Sequence, residues 1–205
     1  MKRAALFLLT VCLLSMNSSA EAVRNKSQDN ELRNRVLGWI EEAARLAESN
    51  KEPEDPERPI LIRAEYLPYI DPYRALFFAQ EIEDPSDKAS ALAGVAAAFS
   101  KTDWKQAHRL LEQALSIVES IGDPNKRAHA AYTLMNEAAR VDTDICFRAA
   151  GVYISYLNSP AKEPYDTYNN LQYAAQEMAK RDVTSAVKLA EMPPDSKARD
   201  ALLYT

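Results

Sequence analysis

Two glutamates, Glu137 and Glu177, are the side chains of this sequence best placed for acid–base chemistry. A pair of carboxyl groups can act as general acid and general base when their surroundings push the two pKa values apart. Because the two residues are 40 positions apart, they come together only if the chain repeats with about that period. The pair predicts either a catalytic or sugar-binding site or, as is commoner for glutamates on helices, two solvated carboxylates.

Polar and aromatic side chains that share a helix face form a second candidate site. Spacings of three, four and four residues keep each set on one side of its helix. Amides, tyrosine and arginine suit an extended peptide or a glycan, although every helical protein also needs a solvated polar face. This predicted binding stripe comprises His129, Tyr132, Asn136 and Arg140 on one helix and Asn169, Gln172, Gln176 and Lys180 on the next.

Other reactive side chains are few. Cys146 takes a position that alanine fills in the repeats described below, so we expect an inert, buried thiol. His108 and His129, the only histidines, have no cysteine or acidic residue at metal-ligand spacing. No Ser-His-Asp arrangement, phosphate-binding glycine loop or zinc motif is present. We therefore expect no catalytic residues, no metal and no cofactor.

An internal repeat would position the candidate residues. The segment IEDPSDKA, which starts at Ile82, returns as IGDPNKRA at Ile121, 39 residues later. Aspartate followed by proline is typical of a helix start, because the carboxylate accepts from free backbone amides and proline suits the first helical position. We expect helices to begin at Pro85 and at Pro124.

Four further aspartates predict where the second helix of each repeat begins. Each is followed four positions later by a small residue, which lets neighbouring helix backbones approach closely. The units are predicted to be helical hairpins that bury their apolar faces only by stacking. The aspartates are Asp71, Asp103, Asp142 and Asp182, and the predicted units are 55–81, 82–120, 121–159 and 160–193, with a half-unit at 194–205.

Two of the second helices share spacings of four and then three residues, with Ala107, Leu111 and Ala114 in one unit and Cys146, Ala150 and Tyr153 in the next. These spacings resemble those in the second helix of the tetratricopeptide-type α-solenoids. The period of 39 departs from that family's 34, and its first-helix Trp, Leu-Gly and Tyr signature is absent. Over residues 55–205 the resemblance implies an all-α superhelix of about four antiparallel hairpins. It also implies a concave face lined by the first helices and a partner-binding role.

The N-terminus has the pattern of a secretory signal peptide. Lys2 and Arg3 precede an apolar stretch too short for a membrane span, and small residues follow. We expect residues 1–22 to be the signal, cleaved after Ala20 or Ala22, with an uncleaved anchor as the alternative. Residues 23–54 are predicted to form a capping helix and an acidic, proline-rich linker.

Composition limits the classes of function. The 205 residues include only 4 glycines, carry a formal net charge of −5 and have no basic cluster, which argues against nucleic acid and anionic membranes as partners. We therefore expect an exported, periplasmic or secreted, non-enzymatic scaffold or adaptor that binds a protein or peptide. The alternatives are a helical-array enzyme or glycan-binding module using Glu137 and Glu177, and a structural fragment of a longer array. The partner's identity and the oligomeric state stay open.

Overall fold

In a computed structural model the chain is described over residues 26–50, 57–162 and 170–196, together with residues 199 and 202. Within these ranges all regular secondary structure is helical. The predicted signal at 1–22, most of the acidic linker and Asn169 lie outside the described residues. No helix in the described ranges has the length and apolar character that crossing a membrane requires.

The helices follow one another along the chain with short connections wherever the connection is described. We number them α1 to α9. Their bounds are α1 Lys26–Asn50, α2 Arg58–Tyr66, α3 Pro72–Glu81, α4 Pro85–Phe99, α5 Trp104–Ser120, α6 Pro124–Ala138, α7 Thr143–Leu157, α8 Leu171–Ala179 and α9 Val183–Glu191.

The two Asp-Pro segments start helices as predicted. α4 begins at Pro85 and α6 at Pro124. The Asp84 carboxylate accepts hydrogen bonds from two amides of the first turn, at 2.8 and 3.2 Å, and Asp123 does the same for α6 at 2.8 and 3.0 Å. Lys126 also donates to Asp84 at 2.6 Å, which joins the starts of the two helices.

The other four aspartates also cap helices. Asp71, Asp103, Asp142 and Asp182 accept from first-turn amides of α3, α5, α7 and α9, respectively. A carboxylate at this position satisfies amides that have no partner within the helix and favours the positive end of its dipole. The six carboxylates therefore set where six of the helices begin.

Close packing of consecutive helices builds the core. The most extensive contacts join α4 with α5, α6 with α7, α4 with α6 and α8 with α9. The small residues one turn into the second helices are buried, as their spacing predicts: Ala75, Ala107, Cys146 and Ala186. The chain is thus an all-α protein whose helices pack mainly on their neighbours along the chain.

α1 packs against α2 at the N-terminal end of the described residues. Its buried face comprises Val36, Ile40 and Ala44. Arg63 of α2 pairs with Glu41 and Glu48 of α1, both at 3.0 Å. Because these pairs are partly exposed, we attribute the attachment of α1 mainly to its apolar face.

Candidate functional site

A groove of about 1400 Å³ runs across α2, α4 and α6. We call it the central groove. The same four positions of each helix and its following turn line it, spaced by four, four and three residues. These are Arg58, Ile62, Tyr66 and Tyr69 from α2, Ser90, Gly94, Ala98 and Lys101 from α4, and His129, Thr133, Glu137 and Arg140 from α6. Equivalent positions of three helices therefore form one continuous surface.

The floor of the central groove is made of small side chains on α4. Ala91, Gly94, Ala97 and Ala98 all line it. A Cβ atom added to Gly94 would meet nothing within 4 Å, so the space above this backbone is open. The groove exists because α4 has small side chains where α2 and α6 have large or charged ones.

One end of the groove lies at the turns that follow α2, α4 and α6. Across the small α4 residues Ala97 and Ala98, Tyr69 comes close enough to interact with Arg140. Burial and the nearby Glu137 charge raise the pKa of the Tyr69 hydroxyl, and a hydrogen bond from Arg140 opposes them. About half of the Tyr69 side chain remains exposed, so its ring still presents apolar surface to the groove.

Arg140 is the centre of a charged cluster at this end. Its guanidinium lies 3.5 Å from a carboxylate oxygen of Glu137 and 3.4 Å from one of Glu177. It also donates to the Tyr173 hydroxyl and lies over that ring, 5.5 Å from its centroid. Lys180 holds the second oxygen of Glu177 at 2.5 Å. Arg140 thus connects α6 to α8 through several polar contacts.

The structure brings the two candidate acids, Glu137 and Glu177, together. Both carboxylates contact the same guanidinium, which places them within about 10 Å of each other, as a catalytic pair requires. Burial raises the pKa of the Glu137 carboxyl above its ordinary value; the Arg140 charge opposes this and the Glu177 charge adds to it. The pair can therefore serve as a structural ion-pair network or as an acid beside a carboxylate.

Two further groove carboxyls have raised pKa values. Burial raises the pKa of Glu65, and the Arg58 charge opposes it. Burial also raises the pKa of Asp87, where the Asp84 charge adds to the effect and His129 opposes it. Both acids therefore face partly dehydrated surroundings, which strengthens electrostatic contacts with any group that enters the groove.

The predicted binding stripe is only partly brought into the central groove. His129 and Arg140 line it. Asn136 is buried at 8% exposure, and Tyr132 is half-buried and packs on Tyr153 of α7, with ring centroids 5.7 Å apart. The groove-facing residues are instead Thr133 and Glu137, one position further along the helix, because each step rotates the side chain by about 100°.

The α8 members of that stripe lie outside the central groove. Gln176 and Lys180 are exposed and Gln172 is half-buried, but none of the three lines the groove. Lys180 pairs with Glu177 instead. Asn169, the remaining member, lies outside the described residues. The stripe as a set is therefore divided between the groove, the interior and a separate surface.

The thiol and His108 take structural positions. Cys146 is fully buried, and burial raises the pKa of its thiol to about 12. His108 lies 2.8 Å from the Asp142 carboxylate and stacks on Trp104, with centroids 5.3 Å apart. Over the described ranges, no group of three His, Cys, Asp or Glu side chains is arranged to hold a metal ion.

Sequence reasoning missed the small-residue floor and two groove cations, Lys101 and Arg181. A signal for the floor was present. Two sets of residues can each describe one face of α6: residues 129, 132, 136 and 140, or residues 129, 133, 137 and 140. Only the second set aligns with Gly94 and Ala98 in the preceding repeat. A glycine in a helix interior costs stability, so its presence there points to a need for open space.

Comparison with known proteins finds no family model, no curated protein and no solved structure that matches this chain. The case for its function therefore rests on the central groove and on the sequence.

Proposed function

We propose that this chain is an exported, non-enzymatic helical-repeat protein whose central groove binds an extended segment of a protein or peptide partner. The observation that carries this proposal is the recurrence of the same four lining positions on three successive first helices, α2, α4 and α6. A surface built this way is continuous across these helices, so an extended chain can cross them along it.

The size of the groove supports a peptide occupant. Its volume of about 1400 Å³ exceeds the 300–1,000 Å³ of ordinary small-molecule sites. Three helices packed about 8–10 Å apart present a path of roughly 20 Å between the outer two axes. Because an extended chain advances about 3.3 Å per residue, this path accommodates roughly six residues.

The same proposal includes the tetratricopeptide-like architecture. Four antiparallel hairpins, α2–α3, α4–α5, α6–α7 and α8–α9, would form an α-α superhelix with the first helices on its concave side. The repeated aspartate caps and the packing of α4 on both α5 and α6 support it. The signal-like residues 1–22 support export. A mass measurement of the chain recovered outside the cytoplasm tests this.

A groove-filling variant tests peptide binding. The full chain and its Gly94→Phe variant would each select from a library of random dodecapeptides. Because the space above Gly94 is open, phenylalanine should fill the groove without disturbing the backbone. We expect the parent to enrich a defined set of sequences and the variant to lose them.

Gly151→Phe is the matched control. Gly151 lies on α7, does not line the central groove and also has open space at its Cβ position. This variant should enrich the same peptides as the parent. Equal enrichment by the parent and by Gly94→Phe would refute peptide binding in the central groove.

A second candidate function is favoured by the carboxyl pair. Glu137, with its raised pKa, would act as general acid beside Glu177 in a helical-array enzyme or glycan-binding module. Assay of a panel of aryl glycosides tests it. Hydrolysis that is lost in Glu137→Gln would support the enzyme. If the parent chain hydrolyses none of the glycosides, the enzyme is refuted and peptide binding is the function that is left.

A further inference from the structure

Two groove cations at the turn end have no acidic partner among the residues that the structure describes. Lys101 follows α4 and Arg181 follows α8, and both line the central groove. Among the described residues, neither lies within ion-pair distance of a carboxylate; Arg181 donates only to the Thr143 hydroxyl, at 3.3 Å. Arg140, which lies in the corresponding turn between them, is already paired with Glu137 and Glu177.

The carboxylates nearest in sequence to these cations are turned away from the groove. Asp103, Asp142 and Asp182 cap α5, α7 and α9, so their oxygens accept from the amides of their own helices. None of the three lines the central groove. The turn end of the groove thus presents positive charge to an occupant, although the chain as a whole has a net charge of −5.

Exposed aromatic rings line the same groove as Lys101. Trp104 is 54% exposed and Tyr69 is 55% exposed, and both line the groove. Aromatic side chains offer rigid apolar area at little cost in conformational entropy, so they suit the side chains and backbone of a peptide between its charged residues.

The spacing of the two cations limits what can bridge them. Lys101 follows α4 and Arg181 follows α8. In the packing order of the first helices, α6 lies between α4 and α8. At about 8–10 Å per helix the two turns lie roughly 16–20 Å apart. One carboxylate cannot span that distance, but two acidic side chains about six residues apart in an extended segment can.

We infer that the central groove takes an extended acidic segment of a partner protein, which crosses the helices at their turn end with acidic side chains about six residues apart on Lys101 and Arg181. This inference rests on the proposed peptide-binding function and names the chemistry of the peptide. Lys101 and Arg181 are both exposed, so acidic side chains of the partner can reach them and supply the opposite charge.

Defined peptides test the inference by fluorescence anisotropy at low salt. The probe is a labelled nine-residue peptide of Ser, Ala and Thr with both ends blocked and glutamates at its second and eighth positions. Its comparators have glutamine at both positions, or glutamates only three residues apart. A further peptide, with glutamines and a free C-terminus, tests whether a terminal carboxylate suffices. The six-residue spacing should bind most tightly, by about four- to twenty-five-fold over glutamine.

Charge-removal variants locate the contacts. Lys101→Gln and Arg181→Gln should each weaken binding of the probe about two- to fivefold, as expected for a partly exposed ion pair. Their effects should multiply in the double variant, because sites more than about 10 Å apart act independently. Lys105→Gln is the matched control, since Lys105 is exposed on α5 and does not line the groove.

The outcomes separate the two proposals. Ala98 lines the groove one turn from Lys101, so Ala98→Phe blocks the turn end. Equal affinity for the glutamate and glutamine peptides, with both lost in Ala98→Phe, would overturn the acidic segment and keep the groove. Unchanged probe binding in Ala98→Phe would overturn the groove itself. Three other results would each overturn the acidic-segment inference. They are no saturable binding of the probe, tighter binding of the peptide with a free C-terminus, and an equal loss of affinity in Lys105→Gln.

Discussion

Gly94 provides the most direct test of the open groove floor. Gly94 lies in the interior of α4, and an added Cβ atom would meet nothing within 4 Å. A helix-interior glycine costs about 0.5–1 kcal/mol relative to alanine, because glycine loses more backbone freedom on folding. We expect Gly94→Ala to stabilise the free protein by about that amount.

Urea unfolding at neutral pH, followed by circular dichroism at 222 nm, measures this effect. With a slope of about 3 kcal/mol per molar urea for a chain of this size, the midpoint should rise by about 0.2–0.3 M. Gly151→Ala on α7, whose Cβ position is also open, should stabilise the protein similarly. Only Gly94→Ala should also weaken a peptide that binds in the central groove.

A lower midpoint for Gly94→Ala, with Gly151→Ala stabilising as expected, would refute the reasoning. It would mean that other atoms occupy the space above α4, so that the methyl group clashes. The groove floor, and with it the proposed path of the peptide, would then be wrong.

Three further predictions concern the helix caps, the thiol and the Arg140 cluster. Asp84→Ala should cost about 1 kcal/mol at neutral pH. Because the Lys126 hydrogen bond lowers the pKa of Asp84, its stabilisation is lost as pH falls below 3.8, so equal penalties at pH 7 and pH 3 would contradict this prediction. The buried thiol of Cys146, with its pKa of about 12, should not react with Ellman's reagent at pH 8 until urea unfolds the chain; rapid native reaction would show that the site is open. Arg140→Met should destabilise the protein by about 1–3 kcal/mol, because it leaves the partly buried carboxylate of Glu137 without its ion-pair partner while Glu177 keeps Lys180. Adding Glu137→Gln should recover part of that loss in a double-mutant cycle, and simple additivity would show that the two side chains do not interact.

The helix starts were predictable because their causes are local. Whether an aspartate can accept from the amides two and three positions later depends on neighbouring residues alone, so Asp84-Pro85 and Asp123-Pro124 each specify a helix start. The burial of Ala107 and Cys146 follows from the repeat, because a small side chain at the same position of each unit marks close packing.

The placement of the groove was only partly predictable. His129 and Arg140 belong to both of the helix faces that the spacing allows, and the sequence pattern alone did not choose between Asn136 and Glu137. The two faces differ by a rotation of about 100° about the helix axis. Because Tyr132 packs on Tyr153, the face with Asn136 is turned toward the interior and the face with Glu137 lines the groove. That contact joins residues of different helices, so local spacing carries little information about it.

The sequence by itself determined an all-helical chain, the positions where its capped helices begin and the inert setting of Cys146. Only the tertiary structure decided that Arg140 joins Glu137 to Glu177 and that Tyr69 reaches across α4. It also decided that Lys101 and Arg181 share one groove with no acidic partner in the described part of the chain. The physical reason is range. A cap or a helix propensity acts within a few residues, whereas a groove and its charges depend on how helices 30 to 80 residues apart are rotated against one another.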